Sequence, residues 1–465
     1  MPRAAVYVPQ SPYDQAVSGR VVDEVAFALE NVGGRAEEAY EALRAVGLEG
    51  LAEAKVDELS GGQLHKLAIA CALAVGSRVI VLDEPLAHLD PRSSRELVEL
   101  LVELKRAGRT VILVEHRLRE LVDALHEVDL ALVLDSGRLV ATVPGHRLHE
   151  EAALLSKLGL RLPANFKASL LLGSPLRAPS DRAPLMEAVR RLSMPCRRRE
   201  PDGEVEVELS DVWVAYRGRD YVLRGVSTSL RKGGVYAVMG PNASGKTTLL
   251  MTMIGLLRPR RGRVEVAGRQ VKGLSDLVGI ASYVPQNPDL TLMFSTVEEE
   301  LKERARRARG EVDVERLARD LMIDDLMDRN PHSLSRGQRF RVALAAALAS
   351  SPRILFLDEP TTGQDEECIV ALGEALKRFV DGGGLAVVTT HDVDFASNYA
   401  DRCLILCGGK VVAEGPSLEV LSRVEVATFG LSRPMVAATC CEVGVEPVSE
   451  RELFEVAERE AWARL

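Results

Sequence analysis

The seven cysteines of this 465-residue chain form no C-x-x-C pair. Nothing in their spacing suggests a metal framework. Cys403 and Cys407 flank an apolar Leu-Ile-Leu run, and Cys440 and Cys441 are adjacent; the expectation is buried small apolar residues in a reducing compartment. No uninterrupted apolar run reaches the ~18 residues of a membrane span. The longest candidate, Leu67 to Leu82, is broken by Gly76-Ser77-Arg78. The N-terminal residues have no apolar core of signal-peptide length, so any membrane role is expected to come through partners. The chain also lacks an excess of positive charge: its formal net charge is −9. That argues against a nucleic-acid binder driven by overall charge. Local basic stretches, Arg304 to Arg309 and Arg197 to Arg199, read as a solvated helix face and a linker. Apolar content of 46% is ample for buried cores, and the length suggests roughly two to four domains.

What is there begins with Gly240-Pro241-Asn242-Ala243-Ser244-Gly245-Lys246-Thr247-Thr248. It follows the apolar run Val235 to Met239 and precedes Leu249-Leu250-Met251, giving strand, glycine-bounded turn and helix. The spacing is that of a P-loop. Backbone N–H groups of such a turn and the positive end of the helix converge on phosphate oxygens. Gly245 allows close approach, Lys246 reaches the β- and γ-phosphates, and the Thr247 hydroxyl ligates Mg²⁺. The stretch is read as a nucleoside-triphosphate site.

The chain is also a tandem repeat. Tyr7-Val-Pro-Gln10 recurs as Tyr283-Val-Pro-Gln286, an offset of 276. Leu59-Ser60-Gly61-Gly62-Gln63 recurs as Leu334-Ser-Arg336-Gly-Gln338, and Val81-Leu-Asp83-Glu84-Pro85 as Phe356-Leu-Asp358-Glu359-Pro360, both at 275. Asp90 answers Asp365 and His116 answers His391 at the same offset. The tails Leu158-Gly-Leu160…Pro163 and Phe429-Gly-Leu431…Pro434 match at 271. The expected domains are 1–172 and 204–465, separated by a proline-rich linker over 173–203 with a short helix around Leu185–Leu192. Within the second copy, alternating strands and helices indicate a mostly parallel α/β sheet. Its ligands are expected at the carboxyl ends of the strands, where the P-loop, Asp358-Glu359 and His391 fall. Two carboxylates directly after an apolar strand are costly unless a cation or a proton transfer uses them.

Together these motifs resemble the ATP-binding cassette (ABC) ATPases over nearly the whole chain. The resemblance implies an α/β fold of two tandem P-loop NTPase domains, each with a parallel α/β core, an antiparallel β subdomain and a helical signature subdomain. It implies ATP and Mg²⁺ as ligands and ATP hydrolysis as the activity. Carried over by position, Tyr216 is implied to stack on adenine, and Asn242 to Thr248 to hold the phosphates. Gln286 would touch Mg²⁺ and the attacking water, Asp358 would hold Mg²⁺ through water, Glu359 would polarise the nucleophilic water, and His391 would contact the γ-phosphate. In this family two cassettes pair head to tail, so the second P-loop is implied to meet Ser60-Gly61-Gly62-Gln63 of the first copy. Arg336 departs from the signature pattern, and is tolerable if it points to solvent.

The first copy lacks the N-terminal β and P-loop part. The 72 residues from Val205 to Asp276 have no counterpart ahead of Met1. Three readings compete: a start assigned too late, a degenerate cassette that only donates a signature, or a lobe supplied by another chain. Removing a central strand and helix exposes apolar edges and faces, so the first domain is expected to be marginal. Pro9-Gln10-Ser11-Pro12-Tyr13-Asp14-Gln15, the run Val21 to Phe27, and Gln286-Asn287-Pro288-Asp289 are similar to energy-coupling-factor importers of vitamins, cobalt and nickel. That similarity implies a cytoplasmic motor, peripheral on the inner membrane face, bound to a transmembrane subunit and a substrate-capture subunit, with no nucleic acid. The alternatives are a soluble tandem cassette protein of translation or DNA repair, or the fused ATPase of a sugar or peptide importer.

Overall fold

The computed structural model describes residues 5–87, 89–192, 200–216, 220–308 and 310–462. Arg197 to Arg199, Pro195 and Arg309 lie outside the described residues. The chain divides into two compact units, Met1–Arg182 and Ala183–Leu465. The division falls within the stretch 173–203.

In the first unit β1 (Ala5–Val8), β2 (Val79–Asp83) and β3 (Thr110–Val114) form a parallel sheet in that order. Valine, isoleucine and leucine dominate these strands, as they do in parallel sheets. The crossover from β2 to β3 is the helix Pro91–Arg106, which Asp90 caps by accepting from Ser93 N at 2.8 Å. Its last turn carries Lys105 and Arg106, favourable at the helix's negative end. One face of the sheet is dry: Ile80 and Leu82 sit in a core with Val25, Leu29, Leu97 and Ile69. A separate hairpin of β4 (Ala131–Asp135) and β5 (Arg138–Val143) follows.

The second unit runs through β6 (Val205–Ala215), β7 (Tyr221–Arg231), β8 (Val235–Met239), β9 (Arg261–Val266), β10 (Arg269–Gln270), β11 (Ala281–Val284), β12 (Ile354–Asp358), β13 (Leu385–Thr389), β14 (Arg402–Cys407) and β15 (Lys410–Pro416). A four-stranded antiparallel sheet has the order β10-β9-β6-β7. A six-stranded sheet has the order β11-β12-β13-β8-β14-β15, parallel except for its last pair. Every residue of β8, β12 and β13 is buried. Phe356, Val387, Leu404 and Leu406 pack with the antiparallel sheet and with Leu249, Leu250 and Met253 of the helix Lys246–Met253. On the opposite face Leu357, Ala386 and Val388 meet the helices Arg336–Ala349 and Glu366–Asp381. Sequence periodicity suggests two strands near 205–216; they are one long strand, irregularly registered with β7.

The helix expected near Leu185 spans Ala183–Leu192 and packs on the helix Met435–Val443 and on Glu450–Trp462. Leu185, Ala188 and Val189 are buried. On the terminal helix Leu453 and Ala457, also four residues apart, are buried. Cys368, Cys403 and Cys440 are buried as expected, and burial pushes the Cys403 thiol up to about 12. Cys441 is exposed and departs from that reading, since its helix turns the next side chain outward. Arg304, in the last turn of the helix Val297–Ala305, pairs at 3.1 Å with the buried Glu300, and Arg306 at that helix's end pairs with Glu303.

Candidate functional site

The turn after β8 owes its shape to two glycines. Gly240 has φ +149 and Gly245 φ +103, both in the region that disfavours side chains. A Cβ on Gly240 would lie 2.1 Å from the Leu406 carbonyl oxygen, and one on Gly245 would lie 2.9 Å from Leu223. Lys246 opens the helix and is buried, donating from Nζ to the carbonyls of Gly240 at 2.9 Å and Pro241 at 3.2 Å. Glu359 Oε1 stands 3.7 Å from that ammonium. Ser244 Oγ is buried in the turn with no hydrogen-bond partner among the described residues. A buried cation and an orphaned hydroxyl beside a helix N-terminus form a seat for an anion.

The carboxylates come from the end of β12. Asp358 is buried, and its Oδ1 accepts from Thr247 Oγ1 at 3.2 Å and from Thr389 Oγ1. Burial raises the Asp358 pKa, opposed by the Thr389 hydrogen bond. Glu359 takes φ +48, a conformation costing about 1 kcal/mol or more in an ordinary residue. The backbone bond from its N–H to the Thr389 carbonyl, 3.0 Å, holds it there. Its Oε2 lies 2.8 Å from His391 Nδ1. Burial pushes Glu359 up, but His391 and then Lys246 outweigh this and hold it below its ordinary value. Tyr216 follows β6, and its hydroxyl lies 3.2 Å from Thr248 Oγ1. Gln286 is exposed in the bend after β11.

Parallel strands β8, β12 and β13 end side by side, so the P-loop, Asp358-Glu359 and His391 fall together. Ser60, Gly61, Gly62 and Gln63 belong to the first unit and open the helix Gly61–Ala74. Ser60 and Gln63 cap it reciprocally, with Gln63 N donating to Ser60 Oγ at 3.4 Å and Ser60 N to Gln63 Oε1 at 2.8 Å. Ser335 and Gln338 repeat this box, and Arg336 beside them is exposed. In the first unit, Gln10 Nε2 donates to Glu84 Oε2 at 3.1 Å, and His116 Nδ1 lies 3.5 Å from Glu84 Oε1. Glu84 has φ +44, the conformation of Glu359 again.

The family model of the ABC transporter matches residues 2–87 and 223–362. The chain is 34% identical to an ABC transporter ATP-binding protein of Methanosarcina acetivorans, over 97% of this chain and 78% of that protein. The chain belongs to the ABC transporter ATP-binding protein family. It is 31% identical to YkoD of Bacillus subtilis, named for HMP/thiamine import, over 89% of this chain and 76% of that protein. The archaeal ribosome recycling factor aABCE1, in its complex with the stalk protein aP1, superposes with a TM-score of 0.61 at 23% identity. That match spans 91% of this chain and 76% of the other, and shares the fold.

Membership in the ABC ATPase family implies ATP binding, typically with Mg²⁺, and ATP hydrolysis. The donors here suit those ligands: an ammonium and glycine backbone for phosphate, and hydroxyl and carboxylate oxygens for a hard divalent cation. Sequence reasoning missed two members of this candidate site. Tyr283 hydrogen-bonds Asp358, and its counterpart Tyr7 donates to Asp83 Oδ2 at 2.7 Å. The repeated Tyr-Val-Pro-Gln signalled this, although only its glutamine drew a role. Thr389 donates to Asp358 and, through its carbonyl, fixes Glu359; a lone threonine in a buried strand carries no such signal.

Proposed function

We propose that the second unit is the ATP-hydrolysing motor of an ABC importer. The observation that carries this reading is the convergence of the Lys246 ammonium, Asp358, and the Glu359–His391 pair at the ends of three adjacent strands. Lys246 and the turn amides bind and orient the phosphates, and Tyr216 borders the same turn on the side assigned to adenine. Thr247, Asp358 and Gln286 would hold Mg²⁺, which when bound neutralises charge on the phosphate oxygens. Glu359, kept ionised by His391 and Lys246, orients water and accepts its proton; His391 fixes the carboxylate and faces the terminal phosphate. Ser60 to Gln63, at a helix N-terminus of the first unit, suit contact with the phosphates of a nucleotide. Phosphoryl transfer of this kind is mostly positioning and electrostatics.

The transported cargo is proposed to be a vitamin or metal ion, captured by a separate subunit, with this chain on the cytoplasmic face of a transmembrane subunit. Support comes from the likeness to YkoD, named for HMP/thiamine import. Leu290 and Met293, both strongly exposed in the segment after Gln286, suit an apolar docking surface for such a subunit. No helix among the described residues is long and apolar enough to cross a membrane. Glu359→Gln tests the chemistry: ATP is retained and turnover falls, and unchanged turnover removes Glu359 from the role. Co-purification with a membrane subunit from solubilised membranes tests the setting; sedimentation with ribosomes at low salt overturns it.

A further inference from the structure

The helices that follow Glu359 and His391 are tied together behind the site by an arginine from the terminal helix. The helix Val393–Tyr399 starts just after His391, and Asp392 caps it by accepting from Asp394 N at 3.1 Å and Phe395 N at 3.0 Å. The helix Glu366–Asp381 follows the turn after Glu359 and is capped by Asp365, which accepts from Cys368 N at 2.8 Å. Arg451, in the first turn of Glu450–Trp462, reaches both. Its Nη2 lies 2.8 Å from Glu374 Oε1 on the one, and its Cζ lies 5.3 Å from the ring centre of Tyr399 on the other. The Arg451 backbone N–H donates to Asn398 Oδ1 at 3.0 Å, and Nε pairs with Glu455 of its own helix at 2.6 Å. Gly373 makes room for the Tyr399 ring, since a Cβ there would lie 2.3 Å from it. Glycine weakens a helix interior, so the ring's close approach is what this position gains. Tyr399 packs at 5.3 Å on the buried Phe395, which shares a core with Leu357 and Val388, the residues just before Asp358 and Thr389.

The first copy lacks both the ring and the glycine that admits it. At the 275 offset Val98 stands for Gly373 and Ala124 for Tyr399, and the helix after His116 is one turn long, Leu118–Leu121. There the histidine Nδ1 lies 3.5 Å from its glutamate, against 2.8 Å for His391 and Glu359. We propose that Arg451 is a positioning residue for hydrolysis. By clamping the two helices it holds His391 against Glu359, and turnover depends on the docked terminal helix. The inference rests on the ATPase reading of the site. A planar guanidinium suits the task, because its edge pairs with a carboxylate while its face lies on an aromatic ring. The terminal helix also packs on Ala183–Leu192, so the clamp connects the stretch between the copies to the Glu359–His391 pair.

The test measures steady-state phosphate release and equilibrium ATP binding in the full chain. Arg451→Met should lower kcat about tenfold with ATP affinity unchanged, since a small misplacement behind a site costs rate. Glu374→Gln, which keeps the side-chain shape, should lower kcat in the same direction. A double-mutant cycle decides between positioning and bulk stability. In a His391→Ala chain, itself slowed, Arg451→Met should cost no further rate, whereas a purely structural loss is as large in that background as in the unmodified chain. Amide hydrogen exchange over 391–396 should quicken in Arg451→Met. Unchanged kcat in either variant, full additivity with His391→Ala, ATP affinity falling in step with kcat, or unchanged exchange would each overturn the proposal and leave the ATPase reading standing. An unmodified chain that releases no phosphate would overturn that reading, and the role of Arg451 in hydrolysis with it.

Discussion

β3 and β13 are the same strand in two copies, Thr-Val-Ile-Leu-Val and Leu-Ala-Val-Val-Thr, and they live in different surroundings. β13 is buried at all five positions, whereas β3 alternates between exposed and half-buried. β4 and β14 sharpen the point, because Leu132 and Leu134 face solvent and their leucine counterparts do not. Fully burying one such side chain is worth about 1.5–3 kcal/mol. The first unit therefore forgoes several such increments on one face. Its other face keeps Ile80 and Leu82 fully covered. A shared pattern of apolar residues fixes which strands can form; the neighbours fix how much each strand contributes.

The comparison can be broken first at the chemistry. Lys246→Ala should lower ATP hydrolysis about a thousandfold or more, and Glu359→Gln about a hundredfold with ATP still bound. Glu84→Gln, the matching change in the first unit, should leave turnover unchanged in a steady-state phosphate-release assay. Equal losses at Glu84 and Glu359 would erase the asymmetry. Next come the signature serines. Ser60→Ala and Ser335→Ala each remove a helix cap worth about 1 kcal/mol. Only Ser60→Ala is expected to slow hydrolysis, by roughly tenfold as for a lost charge-assisted contact, and equal slowing in both would remove the assignment.

Packing gives a smaller contrast. Leu406→Ala should cost about 2–5 kcal/mol in the second unit. Leu134→Ala should change stability by about 0.5 kcal/mol or less, as surface changes do; denaturant titration followed unit by unit by hydrogen exchange reads both.

The smallest contrast is in pH. The Glu84 hydrogen bond holds the His116 proton above the ordinary histidine range, against burial. Its stabilisation is full below the unfolded value of about 6.5 and is lost as pH rises through the raised folded value. Glu359 is held below its ordinary range, so its contribution is present above the unfolded carboxylate value and lost as pH falls through the lowered one. Alkali should loosen the first unit's site and acid the second's, with His116→Gln flattening the former in pH-resolved hydrogen exchange.

Much of this was legible in the residues. The P-loop, the paired carboxylates and the repeat follow from spacing alone, because phosphate binding and parallel sheets impose local constraints on glycine, charge and apolar runs. The helix Ala183–Leu192 was legible as a helix but not as a packed one, since five prolines over 173–203 read as a linker. The partnership of Tyr7 with Asp83, 76 positions apart, joins strands that only the sheet makes neighbours. Thr389 and the left-handed backbone of Glu359 belong to the same class, contacts between ends of strands distant in sequence.

By itself the sequence determined the family, the duplication and the list of groups that can grip a triphosphate, because those depend on residue type and short spacing. The tertiary structure alone decided that Lys246, Glu359 and His391 meet, and that one copy of a shared strand is buried while the other lies bare. Proximity and burial come from which strand lies beside which, and in this chain β8 has no described counterpart beside β3.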